Sequence, residues 1–501
     1  MTSYPIDKSA KRTNAPNSRR LLGMSIAVAL FIPAGNLAAE SLSLMDVYQL
    51  AEHNDQKLRA AEQRRFSVLQ NIPIERADFL PQIRGEAGVD YSRTDITAGA
   101  GAGPDTIDGS SRNFGLGLHQ TIYNQVANIQ LDIAQRQAQQ ADIDYNAARQ
   151  DLILRTGEAY FGVLKANARL QLAKANRTAV KRQLERAQRQ YEVGLVAVTD
   201  VADAQAQYDQ ADADIIAARN ALNDALAALE TIIGQPAKQL HDVQTNLEVI
   251  APEPAELTEW VKLAQQQNLT LLSNLLNKEI ARDTVSLTRA QRMPTVDLQG
   301  RYGYDNSPNR ATGSRTESLN GQIGVQVSLP IYTGGRINAQ SRQAAYDFQR
   351  VQFEIEDLRR QVSQSTSNNY RAVNTSISQI YAFQQAVESA RTSLAATEAG
   401  YNVGTRTIVD LLNAELKVFS AMADFLDARY SYIINFLRLK ADTGQLTIAD
   451  LEAFNEQLTD EPTNALIAPI LGGAERDDQQ AQDEMLRRLL ERARQTVEEQ
   501  D

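Results

Sequence analysis

The chain has 501 residues, a formal net charge of -11 and aromatic residues at only 6%. The acidic balance argues against nucleic acid as a partner, because nothing offsets repulsion by phosphates. The absence of cysteine excludes disulfides, thiolate metal sites and an acylated cysteine as a membrane anchor. Alanine and glutamine are abundant instead, which favours long helices packed closely through small residues.

The N-terminal segment, residues 1–39, predicts a secretory signal peptide. A basic stretch precedes an apolar stretch over 21–32, which is too short to span a bilayer as a helix. Cleavage is expected after Ala39. No other segment is apolar for 18 residues, so any membrane span in the mature protein would have to be made of strands.

The rest of the chain contains a long internal repeat. The tetrapeptide Tyr-Glu-Val-Gly at 191–194 returns as Tyr-Asn-Val-Gly at 401–404, an offset of 210 residues. This period is far longer than that of a solenoid repeat. We therefore divide the chain into a first structural repeat over 40–255, a second over 256–465 and a polar acidic tail over 466–501.

Each repeat opens with a predicted helix, over 44–78 and 257–291, followed by two segments in which apolar and polar residues alternate. A soluble sheet and a membrane barrel both present one apolar and one polar face. Two observations favour the barrel: tyrosines lie near the ends of the segments, and the chain has a predicted signal peptide. The four predicted strands lie near residues 83–91, 113–119, 296–305 and 323–329.

Four strands cannot close a barrel, since about eight is the smallest number that does. An open sheet in lipid would leave edge groups without hydrogen bonds. The chain must therefore oligomerise, and two, three or four copies all satisfy the pattern. The glycine-rich segment 99–104 and its counterpart 306–317 predict surface loops, because neither has the sequence context of a phosphate-binding loop.

A proline-free helical pattern follows each strand pair, over 126–191 and 337–401. Each pattern corresponds to roughly 100 Å of helix at 1.5 Å per residue. Gly194 and Gly404 then fit the left-handed position that ends a helix. The two repeats therefore predict two long helical hairpins.

The predicted return helices, 200–233 and 409–442, are half as long as their partners. A return helix and an upstream helix placed end to end would match one long helix. Alanine on several faces favours a hollow helical cylinder over a soluble coiled-coil stalk, which would show a narrower seam of leucine and isoleucine. The segments 234–256 and 444–465 predict a belt of mixed structure.

Several motifs resemble those of the TolC family of outer-membrane efflux channels. They are Phe-Leu-Pro-Gln at 79–82, Gly-Leu-Val-Ala-Val-Thr-Asp at 194–200, Leu-Pro-Ile-Tyr-Thr-Gly-Gly at 329–335 and Gly-Tyr-Asn-Val-Gly-Thr-Arg-Thr-Ile-Val-Asp at 400–410. The resemblance implies an α+β membrane protein that forms a homotrimer. Its twelve-stranded outer-membrane β-barrel, with four strands per chain, would continue into a twelve-helix periplasmic α-barrel with a mixed equatorial belt.

The resemblance also implies a function and partners. The trimer would be an export duct in the outer membrane lipid of a Gram-negative bacterium, serving multidrug efflux and type I protein secretion. A periplasmic adaptor and an inner-membrane pump of the RND, ABC or MFS type would open its periplasmic end. The alternative is a soluble periplasmic coiled-coil structural or adaptor protein. We expect no enzyme activity, cofactor or metal, because the three histidines are isolated and no catalytic motif is present.

Site residues follow from the resemblance by position. A periplasmic gate would form where Tyr401 and Arg406 on one hairpin turn contact Thr199 and Asp200 on the other. The bond between Arg406 and Asp200 would be a charge-assisted hydrogen bond. Without the family, Arg406 in an exposed turn would be a solvated side chain.

The lumen constriction would be formed by Asp410, which as a ring of carboxylates would favour cations. One turn later the family often has a second acid, where this chain has Asn413, so we expect weaker cation selectivity. The spacing of Thr407 and Asp410 also matches a helix-capping pattern. Capping and gating are compatible.

Overall fold

The structure is a computed structural model, in which two strands from each repeat pair side by side in one four-stranded antiparallel sheet. It describes residues 41–96, 105–237, 239–244, 246–308 and 314–459. The predicted signal peptide, the loop at 99–104 and the acidic tail lie outside these residues. The elements are α1 (Leu44–Asn54), α2 (Gln56–Leu69), α3 (Asn71–Ala77), β1 (Gln82–Ile96), β2 (Asp105–Tyr123), α4 (Gln125–Glu192), α5 (Val198–Ile233), β3 (Asp242–Val243), α6 (Leu257–Gln267), α7 (Leu269–Ala290), β4 (Thr295–Pro308), β5 (Arg315–Ser328), α8 (Arg336–Asn402), α9 (Ile408–Asp442), α10 (Ile448–Asn455) and β6 (Leu458–Thr459).

The sheet has the predicted apolar face. Its register places Phe114 opposite Tyr304, and their rings stack at 5.1 Å between centroids. Ile83 and Val89 on β1 are 74% and 75% exposed, so no other described element of the chain covers them. The predicted alternation is confirmed, and the apolar face it produces is unpartnered within one chain.

The strands are longer than the sequence predicts. Pairing of β1 with β2 continues to Ile96 and Asp105, and pairing of β4 with β5 continues to Pro308 and Arg315. The loop predicted over 306–317 is therefore wrong at both its ends. Antiparallel pairing joins main-chain groups and continues through polar residues, whereas apolar alternation marks only the part of a strand with an apolar face.

The two long helices, predicted over 126–191 and 337–401, are confirmed and have 68 and 67 residues. The first, α4, packs against α2 and α3 over one part and against α5 over another. Arg65 of α2 reaches Asp142 at 2.5 Å, and further along α4 Arg177 donates to the hydroxyl of Tyr208 on α5 at 2.7 Å. The prediction that two shorter helices share one long partner is confirmed.

The repeats interlock through their helices as well as their sheet. Both α7 and α9 pack against α4 and against α8. Arg136 of α4 contacts Asp283 of α7 at 2.6 Å, and Arg438 of α9 contacts Glu158 of α4 at 2.6 Å. Helices of the second repeat therefore cover part of the long helix of the first.

The upstream helices, predicted as continuous, are broken. Asp55 has an extended backbone and its carboxylate accepts from the amide of Leu58 at 2.7 Å, so it caps a new helix. Asn268 does the same for Leu271 at 2.9 Å. A further break precedes α3, where Pro73 cannot donate and its ring crowds the preceding turn.

A belt of mixed structure joins the helices, as predicted for its described part. Strands β3 and β6 pair antiparallel beside α10. The hydroxyl of buried Tyr160 donates to the carbonyl of His241 at 2.7 Å, and the indole of Trp260 donates to the carbonyl of Pro254 at 2.6 Å. No helix in the described part is both long and apolar enough to cross a membrane.

Candidate functional site at the two hairpin turns

The first hairpin turn joins α4 to α5. Gly194 takes the predicted left-handed conformation, with φ at +76°, and the amide of Leu195 donates to the carbonyl of Gln190 at 2.8 Å. Ala197 then occupies the N-cap of α5 and has no side-chain acceptor. Asp200 accepts from the amide of Ala197 at 3.4 Å, so this cap is one-sided.

The second turn, between α8 and α9, has the same backbone and a complete cap. Gly404 has φ at +80°. The amide of Asp410 donates to the hydroxyl of Thr407 at 3.2 Å, and the amide of Thr407 donates to Asp410 at 2.9 Å. These bonds from the Thr407 backbone and hydroxyl hold the pKa of Asp410 below its usual value. The predicted capping pattern is confirmed.

Tyr401 links the two turns, but through a residue that the sequence does not predict. Its hydroxyl donates to Oε1 of Gln190 at 2.7 Å, rather than to Asp200. Burial raises the pKa of Tyr401, and the negative charge of Asp200 raises it further. Asp200 therefore affects Tyr401 through its charge and not through a hydrogen bond. Comparing the two repeats could have drawn attention to Gln190. At the equivalent position the second repeat has Gly400, which has no side chain to accept a hydrogen bond.

Arg406 lies in the turn between α8 and α9, and its side chain packs against the end of α8. A Cβ atom added at Gly400 would come within 2.8 Å of Cγ of Arg406, so glycine there makes room for the arginine. Arg406 and Thr199 are exposed. In the described part of one chain, no hydrogen bond or ion pair joins Arg406 to Thr199 or Asp200.

The predicted constriction residues lie one turn apart on α9. Asp410 is partly buried and Asn413 is exposed, while the neighbouring Leu411 and Leu412 are buried. Residues three apart share one face of a helix. Asp410 and Asn413 thus form a polar strip on the side of α9 opposite its packed face.

The turns rest on a small apolar cluster that joins α4, α5 and α9. Two of its alanines are fully buried, which allows close approach of the helix axes. Beside the cluster, Nε2 of Gln183 on α4 donates to Oε1 of Glu415 on α9 at 2.8 Å. Burial raises the pKa of Glu415 to about 7. The cluster comprises Val180, Leu184, Ala187, Ala204, Ile408 and Leu412.

This site holds charged and hydrogen-bonding groups but no catalytic arrangement. Among the residues that the structure describes, no group of three or more histidines and acids could hold a metal ion. The Tyr401 contact and the apolar cluster instead join two neighbouring hairpins side by side, close to their turns. The arrangement can hold the hairpins together or release them.

Comparisons with known proteins show what the chain is similar to. The chain matches the model of the family described as outer membrane efflux protein over residues 47–235 and 260–445. It is 35% identical over 442 residues to outer membrane protein TolC of Vibrio cholerae, covering 88% of this chain and 99% of that protein. It is 31% identical to the alkaline protease secretion protein AprF of Pseudomonas aeruginosa, covering 83% and 87%.

Solved structures show the same fold. The chain aligns with the CmeC outer membrane channel of Campylobacter jejuni at a TM-score of 0.70 and 20% identity, covering 83% of this chain and 90% of that one. It aligns with VceC of Vibrio cholerae at a TM-score of 0.66 and 18% identity, covering 80% and 96%.

Proposed function

The chain belongs to the outer membrane efflux protein family and lies in the outer membrane, extending into the periplasm, and from this premise we propose that three copies form one export duct. Each copy would supply a third of a cylinder. The alternative, a soluble periplasmic structural or adaptor protein, is wrong because family membership places the protein in the outer membrane.

The sheet carries this proposal. Its apolar face is exposed, and in the described part of the chain β1 and β5 each pair along one side only. Unpaired edges cannot remain in lipid. Pairing β1 of one copy with β5 of the next would remove every edge and close a barrel. Three copies, the number implied by the family resemblance, would give twelve strands continuous with a twelve-helix α-barrel.

The hairpin turns are proposed as the periplasmic gate. Tyr401 bonds to Gln190 within one chain. Within the described residues the charge of Arg406 acts on Asp410, but its side chain forms no hydrogen bond or ion pair. We therefore place its predicted contact with Thr199 and Asp200 between neighbouring copies. Opening would separate these groups. A periplasmic adaptor and an inner-membrane pump would bind at this end and drive the separation.

The cargo is proposed from the relatives. The Pseudomonas protein is named for alkaline protease secretion, and the family for efflux. We propose that the duct exports small toxic molecules and also secreted proteins. In the polar strip, the carboxylates of Asp410 from three copies would favour cations at the constriction.

Purified protein tests the duct directly. Native mass spectrometry should give a trimer, and planar bilayers should show small pores that prefer cations. Silent bilayers after verified insertion would contradict the proposal. The Asp410→Ala variant should lower cation preference, whereas Asn413→Asp should raise it by adding a second ring. Unchanged ion selectivity in both variants would show that these residues do not line the lumen.

A further inference from the structure

A buried carboxyl group lies between the two hairpins. Gln183 and Glu415 are each 8% exposed, and Nε2 of Gln183 donates to Oε1 of Glu415 at 2.8 Å. Their other oxygens, Oε1 of Gln183 and Oε2 of Glu415, are inaccessible to solvent and have no hydrogen-bond partner. Both are acceptors when Glu415 is ionised, and burying unpaired acceptors is unfavourable. A proton on Glu415 would supply the missing donor.

Charged groups around Glu415 do not neutralise it. Arg182 and Arg186 on α4 favour its ionised form, while Glu398 on α8 opposes it. In the described part of the chain neither arginine forms an ion pair with Glu415. Desolvation outweighs all of these charges and raises the pKa of Glu415 to about 7.

The remaining neighbouring helix, α5, contributes no charge to this balance. Its Tyr208 packs on the apolar cluster and its hydroxyl accepts from Arg177 at 2.7 Å. Arg177 in turn forms an ion pair with Asp212 of α5. These groups pair with one another and not with Glu415.

We infer that Gln183 and Glu415 form a proton-dependent latch between the long helix of the first repeat and the return helix of the second. With the proton on Glu415, the amide donates to the carboxyl carbonyl and the carboxyl O–H donates to the amide carbonyl. When the proton leaves to solvent, one of these bonds is lost and a buried charge remains. Separation of α4 from α9 then hydrates the carboxylate. The latch rests on the proposed gate, because loosening it favours open hairpins.

The direction with pH follows from the shift. A carboxyl whose pKa rises from 4.5 in water to about 7 in the closed form holds its proton more tightly when closed. The latch is therefore strongest at acidic pH and is lost as pH rises through about 7. Between about pH 4.5 and pH 7 the ratio of closed to separated helices falls by at most roughly 300-fold.

Infrared spectroscopy tests the proton independently of transport. A protonated carboxyl stretching band should titrate near neutral pH in the parent and be absent in Glu415→Gln. Glu185→Gln, the same change at an exposed site two residues from Gln183, should leave the band in place. Gln183→Met removes the amide donor and should move the titration to higher pH. It provides the test if Glu415→Gln fails to assemble. A parent without this band would overturn the latch and leave the channel proposal standing.

Conductance tests the consequence. Open probability of parent pores should rise between about pH 5 and pH 8, whereas Glu415→Gln, with two amides able to bond reciprocally, should be much less sensitive to pH. Equal pH responses in both proteins would show that the proton does not act on the hairpins and would overturn the inference. Silent bilayers would contradict the channel, and the infrared band would still decide whether Glu415 holds its proton.

Discussion

The two hairpin turns have the same backbone and different side chains. Gly194 and Gly404 adopt the same left-handed conformation at equivalent positions. The second turn stabilises itself, because Thr407 caps α9, and it extends Tyr401 towards its neighbour. The first turn has Ala197 at its cap and offers Gln190 as an acceptor. The two turns therefore share a duplicated backbone, while a few divergent side chains give one hairpin a hydrogen-bond donor and the other its acceptor.

The largest expected difference between the repeats lies where the return helices end. A Cβ atom at Gly444 would come within 2.2 Å of the backbone oxygen of Gln267, whereas one at Gly234 would meet a side-chain atom of Asn54 at 3.2 Å. Both glycines have positive φ. We expect Gly444→Ala to destabilise the protein by about 3 kcal/mol, and Gly234→Ala by about 1 kcal/mol. Circular dichroism melting measures both, and equal losses would contradict the difference in packing.

The caps give the next effect. Thr407→Ala should cost about 1 kcal/mol at the start of α9, because it leaves the amide of Asp410 without its acceptor. The reciprocal change, Ala197→Thr, should stabilise the start of α5 by a similar amount. Hydrogen exchange of the two first turns is the measurement. Unchanged protection in both variants would show that the caps do not distinguish the turns.

The link between the hairpins gives the smallest effect on stability. Tyr401→Phe should cost about 0.5 kcal/mol, because Gln190 is only partly buried and water can replace the lost donor. A double-mutant cycle with Gln190→Leu should show coupling. Tyr191→Phe, at the equivalent position in the first turn, is the matched control and should show none with Gln190→Leu. Coupling of equal size for both tyrosines would contradict the assignment.

Much of the fold could be predicted from local pattern. Apolar alternation located the four strands, and proline-free stretches ending at Gly194 and Gly404 located the hairpins. The breaks at Asp55 and Asn268 were missed because the same side chains also occur within helices. The strand ends were missed because main-chain pairing continues where apolar alternation stops.

The site was less accessible to prediction. The family resemblance pointed to Tyr401 and to the capped Asp410, yet the partner of Tyr401 is Gln190 and not Asp200. Gln183 and Glu415 are 232 residues apart, and their meeting depends on how α4 and α9 align. A single glutamate on a helix predicts a solvated position, so burial of Glu415 follows only from the packed structure.

The most direct test of a gate at the hairpin turns is the single-channel conductance of Tyr401→Phe/Arg406→Ser beside the parent. The two changes remove the Tyr401 hydroxyl and the Arg406 guanidinium, the groups that are proposed to hold the hairpins together. Val196→Ser, at the position equivalent to Arg406 in the first turn, is the control. The account predicts a several-fold larger conductance for the double variant and parent conductance for the control. Inserted trimers of the double variant with parent conductance would contradict it.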